Sequence, residues 1–186
     1  MSCRGLKLFH VSAQIYRPGE VIGPLTRNRY SDPGTQSPDS VRGQEALDAG
    51  RPPAAVSRLS AHFAFDTPEL CLAYWTGEAK RARSRGDAAS PYLLPPRYSE
   101  IEMASPVKGP MAVAEWVLQL IAHGADPARA IEEYWSPRLA WRVWEYLGRE
   151  MTIVDETGAP ADPVGLALHL HIEDRKMVQA KWPLPS

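Results

Sequence analysis

Cysteine is scarce in this 186-residue chain: there are two, Cys3 and Cys71, too few for a disulfide framework and without the spacing of metal ligands. Cys71 therefore reads as a structural residue in a reducing compartment. Long apolar runs are missing too. No stretch approaches the roughly 18 residues of a membrane-spanning helix, and no run of signal-peptide length opens the chain. The expectation is a protein with no membrane partner, cytoplasmic in a bacterium or delivered to a target cell by a signal the sequence does not display. A net charge of −1 gives no overall pull towards nucleic acid or an anionic membrane. The one dense basic run, Lys80, Arg81, Arg83 and Arg85, reads as a solvated face or loop. A Gly-rich phosphate loop, a zinc-binding His pair and a nucleophile elbow are all absent. His169 and His171 would share a face of a strand, but no third ligand stands near them, and no metal is expected.

What is present is an ordinary globular composition, 44% hydrophobic and 23% charged, long enough to bury a core as one domain over residues 1–186. The chain is organised around Val56 to Trp75. Leu59 to Phe65 alternates with two aromatics, and after Asp66-Thr67-Pro68-Glu69 the period becomes helical, with Leu70, Ala73 and Tyr74. That is a strand feeding a helix. Asp66 or Thr67 caps it, Pro68 suits the first helical position and Glu69 complements the dipole.

Before this unit, Leu6 to Ser12 reads as a first strand ending at His10, and Val21-Ile22 as a short strand between turns. Residues 26–53 are rich in Arg, Ser, Asp, Gly and Pro, and read as a long polar loop with at most one helical turn at Gln44–Leu47. After it, a polar gap from Gly77 to Pro91 holds the basic run, and Tyr92–Leu94 and Arg97–Met103 read as strands. Pro106–Pro110 reads as a turn. Met111–His123 and Ala128–Trp135 have helical spacing, and Pro137–Trp144 continues the second helix. Glu145–Leu147 and Glu150–Glu156 pair as short strands, and 158–163 is a loop. Leu166, Leu168, Leu170 and Ile172 alternate as a last strand, with a terminal helix through Lys181 as the alternative. Trp116, Trp135, Trp141 and Trp144 mark the main core or an interface.

A dispersed set remains: His10 ending the first strand, Arg58, Ser60 and the aromatics of the central strand, and Glu145 entering a late strand. F-H-V-S around His10, H-F-A-F-D-T-P-E-L-C-L-A-Y-W, and W-E-Y-L around Glu145 resemble, in that order, the ADP-ribosyltransferase superfamily, in the branch with a histidine, a tyrosine and a glutamate on successive strands. S-R-L-S, Y-S-E-I-E-M, G-P-M-A and E-E-Y-W are similar to an uncharacterised bacterial family within that fold. The resemblance implies an α+β fold of split β-sandwich type and transfer of ADP-ribose from NAD to a macromolecular acceptor, protein before nucleic acid. It implies Glu145 and His10 as catalytic residues and His10, Val11, Ser12, Arg58, Ser60, Phe63 and Phe65 around NAD. Phe63 stands where the branch has tyrosine, so stacking is kept and a hydroxyl lost. Glu150 and Glu133 compete with Glu145 for the acidic role. The other reading is a catalytically silent protein of the same fold that binds a partner through that cleft or a Trp-rich face. In the transferase reading residues 26–53 are an acceptor-recognition loop or lid, and a toxin, an effector and a housekeeping modifier all stay open.

Overall fold

The computed structural model describes residues 6–26, 36–160 and 165–185. Among these, seven strands form one hydrogen-bonded sheet in the order β2-β7-β4-β1-β3-β6-β5, every pair antiparallel, with five helices. The α+β class expected from the sequence is what is seen. The strands are β1 Leu8–Ser12, β2 Val21–Ile22, β3 His62–Phe65, β4 Arg97–Glu102, β5 Val107–Pro110, β6 Trp144–Gly148 and β7 Met151–Thr157. The helices are α1 Pro38–Ala49, α2 Pro68–Arg85, α3 Met111–Ala122, α4 Ala128–Trp135 and α5 Gly165–Lys181. No described helix is long and apolar enough to cross a membrane.

Side chains directly opposite one another in a ladder share a face, and neighbours along a strand take opposite faces. Phe9 faces Phe65, Phe65 faces Glu145, and Glu145 faces Gly109, which makes one row across the sheet. Phe9, Val11 and Phe65 pack with Leu70, Cys71 and Trp75 of α2. Phe63 and Leu147 pack with α3 and α4. This is the helix-covered face. The alternate residues Leu8, Ala64, Tyr146, Ile101 and Ile153 form a separate cluster under Tyr16 and Ile22, from the loop after β1 and from β2. This is the loop-covered face.

The central unit begins later than expected. Arg58–Ser60 is a turn, because Asp48 accepts from the Ser57 hydroxyl and the Arg58 amide while Ser57 Oγ accepts from the Leu59 amide. The Thr67 hydroxyl caps α2 through the Leu70 amide, with Pro68 behind it. That helix does not stop near Gly77. It carries the basic run to Arg85, where cations complement the negative end of the dipole, and ends at Gly86 in the left-handed region (φ 69°).

Polar composition also hid α1. Ser37 caps it through the Ser40 amide and Pro38 follows, so the expected loop holds three helical turns, packed on α3 where Gly43 meets Leu118. The part of that loop at 27–35 lies outside the described residues, as does 161–164 of the expected 158–163 loop.

Residues 107–110 form an edge strand rather than a turn, with Pro110 at its end where no ladder donor is needed. Pro91–Leu93 is a single 3-10 turn, not a strand. Pro137 to Val143 is irregular rather than helical. The Glu133 carboxylate holds it through the amides of Arg138 and Leu139 and the Trp141 indole, and the buried Asp174 through the amides of Arg142 and Val143.

The last segment is helix α5, not a strand: Ala167, Asp174 and Val178, at helical spacing, are its buried residues. His169 and His171 therefore do not share a face. Trp116 and Trp141 are in the main core and Trp135 and Trp144 pack against it, so the tryptophans are core rather than a surface.

Candidate functional site

Glu145, on β6, is buried against the helical layer at 6% exposure. Its Oε1 accepts from the Tyr134 hydroxyl of α4 at 2.8 Å and from the Arg58 guanidinium. Arg58, 2% exposed, also donates to the Tyr134 hydroxyl and, through Nε, to Gln44 Oε1 at 2.8 Å. Its guanidinium lies 5.0 Å from the ring centroids of both Phe63 and Tyr134. Four segments are thereby joined, namely α1, the turn before β3, α4 and β6. Burial pushes the Tyr134 hydroxyl well above its ordinary pKa, and the Glu145 carboxylate adds to that while Arg58 opposes it. A Cβ at Gly109 would stand 2.3 Å from the Tyr134 ring, so glycine in β5 is what lets this ring sit over the sheet.

His10 is on the other face. It lies between Phe9 and Val11 of the helix-covered face and packs on Tyr16, ring centroids 6.3 Å apart. Its Nδ1 donates to the Phe63 carbonyl at 2.8 Å. That fixes the neutral tautomer with Nε2 as the acceptor. Burial lowers its pKa to about 4, the carbonyl working against this and His62 with it. Ser12, on the same side, bonds the backbone of Gln14 in a local turn.

The expected set therefore splits. Arg58, Phe63 and Glu145 meet, and Val11 and Phe65 share their face but are packed into the α2 core. His10 and Ser12 stand beyond the sheet, and Ser60 sits in the turn. A bent NAD cannot touch the His10 imidazole and the Glu145 carboxylate together, so the residues do not fit that molecule in the roles expected. Phe63 stacks on Arg58, which takes one face of its ring. Of the competing acids, Glu133 is a helix residue committed to the irregular segment after α4, and Glu150 is exposed in the β6–β7 turn.

A cavity of about 350 Å³ opens among α1, α2 and α3, with Arg58 and Glu145 in its floor. At its wall Glu115 of α3 meets His171 Nε2 of α5 at 3.0 Å and Arg175 Nε at 3.9 Å. Burial pushes the Glu115 carboxyl up, but His171, Arg175 and Arg81 together outweigh it and hold the group below its ordinary value. Tyr134, Gln44, Glu115 and Arg175 were not singled out by sequence reasoning, and His171 only with His169 as a strand pair weighed for a metal. The signal for Tyr134 was E-E-Y-W at helical spacing, and for Gln44 the helical turn inside the polar segment.

No protein-family model matches the chain, and no curated protein matches its sequence.

Proposed function

We propose that this is a binding protein that does not transfer ADP-ribose, built on an α+β scaffold of ADP-ribosyltransferase type, with its ligand taken at the cavity over Arg58 and Glu145. The observation that carries the reading is the placement of Glu145. Its carboxylate is engaged by a buried guanidinium and a phenol, on the opposite sheet face from His10. A carboxylate held this way fixes the geometry of its partners and has little left to offer a developing oxocarbenium charge.

The test is calorimetric titration of NAD into the parent, Glu145→Gln and His10→Ala, with mass spectrometry of cells expressing the protein. Equal behaviour of the three and no added ADP-ribose are expected. A saturable heat lost in both variants, together with ADP-ribose adducts, overturns the reading.

One observation favours transfer to a protein acceptor as a second reading. On the His10 side of the sheet, burial raises the Tyr146 pKa and the Asp66 carboxylate adds to this. Trp144, in the same strand, is only partly buried beneath Lys108, 4.3 Å from its ring. An acid and aromatics thus share the sheet face of the imidazole, with β3 between β1 and β6. In that reading Asp66→Asn abolishes transfer, whereas Glu145→Gln does not.

A further inference from the structure

The cavity over the Arg58–Glu145 pair has a charge balance and a donor pattern that select among ligands. Its acids are Asp39, Glu78, Glu115 and Glu145, and each has a cationic partner. Asp39 pairs with Arg42, Glu78 with Arg81, Glu115 with His171 and Arg175, and Glu145 with Arg58. Arg85, near the end of α2, also lines the cavity. The lining itself holds four acids and four arginines, and because Asp39 is paired by Arg42 from outside it, the Arg85 guanidinium is left without a carboxylate among the described residues.

Two amide donors point the same way. Arg58 Nε can only donate, so the Gln44 amide must turn its oxygen to it. That turns the Gln44 NH2 away from Arg58, on a side chain that lines the cavity. Gln36 Nε2, at the same wall, is buried and without a hydrogen-bond partner. An unpaired buried donor is unfavourable, and a ligand oxygen accepting from Gln36 relieves this.

Tyr74, Met111 and Trp116 supply apolar wall. The volume, about 350 Å³, lies at the low end of ligand cavities, which run from roughly 300 to 1,000 Å³. A small molecule fits this space better than an extended dinucleotide.

We propose that the cavity binds a small organic anion, a carboxylate or a phosphate monoester no larger than a mononucleotide. Its oxygens accept from Gln44, Gln36 and Arg85. The inference rests on the binding-protein reading above and names the ligand class of that same cavity.

The test is calorimetric titration of the full chain, in a phosphate-free buffer, with inorganic phosphate, AMP and succinate as separate probes. Arg85→Ala and Gln36→Ala, both remote from the Arg58 network, serve as variants, each checked for an unchanged melting temperature. At least one probe is expected to bind saturably, and each variant to weaken it about tenfold, one charge-assisted hydrogen bond's worth. Phosphate or AMP without succinate identifies a phosphate site, and the reverse a carboxylate site. No saturable binding of any probe at millimolar concentration, or equal binding by parent and variants, overturns the proposal while leaving the non-transferase reading intact. ADP-ribose adducts overturn that reading, whichever way the three probes behave.

Discussion

The two faces of the sheet use charge in opposite ways. On the helix-covered face a guanidinium and a carboxylate, Arg58 and Glu145, are taken almost wholly out of water and satisfied by Tyr134 and Gln44. On the loop-covered face the ionisable group nearest the sheet centre, His10, is held neutral through one bond to a backbone carbonyl. Desolvating a charge is tolerated only when every partner is present, so the first arrangement fixes four segments in one geometry. The second fixes a tautomer and leaves a ring nitrogen to accept.

The sharpest way to break this contrast is to remove one charge from the buried pair. Glu145→Ala leaves Arg58 buried without its carboxylate and is expected to destabilise by roughly 3–5 kcal/mol in urea unfolding. Arg58→Met combined with Glu145→Leu, which removes both charges, should recover most of that loss. Next comes the glycine beneath the phenol. Gly109→Ala drives a methyl into the Tyr134 ring and should lower stability by about 1–3 kcal/mol, read as a shifted midpoint with an unchanged slope.

A similar loss, about 1–3 kcal/mol, is expected for Asp174→Ala, because two amides before β6 lose their acceptor. Hydrogen exchange at Arg142 and Val143 should rise with it.

On the other face the expected effect is confined to acid pH. The folded-state pKa of His10 is about 4, below the ordinary value near 6.5, so the unfolded chain binds more protons between these values. The stabilising contribution is therefore complete above about pH 6.5 and is lost as pH falls towards 4, with a slope of up to about 1.4 kcal/mol per pH unit. His10→Gln should flatten the stability curve in that window alone, and an NMR titration of the imidazole should give its midpoint directly.

Much of the architecture was legible because some signals are local. Thr67-Pro68 announced α2, and apolar spacing announced α3 and α4. Ser37-Pro38-Asp39 carried the same capping grammar for α1, but its surroundings were polar, and the stabilising contact, Gly43 against Leu118, is non-local. For α5, Leu166 to Ile172 supports both periods, and only Ala167, Asp174 and Val178 facing the core decide it.

The site was legible residue by residue but not as an arrangement. Arg58 and Glu145 were both singled out and do meet. That His10 stands beyond the sheet follows from register: Phe9 lies opposite Phe65, and Phe65 opposite Glu145, which puts the residue next to Phe9 on the other side. A register shift of one would reverse the outcome, and nothing local in β1 specifies it.

The most direct test of the account is a double-mutant cycle on Arg58 and Glu145 by denaturant unfolding, with NAD titration of the same proteins. A coupling of roughly 2–3 kcal/mol with unaltered behaviour towards NAD is the predicted result. Additive stabilities, combined with NAD binding that vanishes when the carboxylate is replaced, would contradict it.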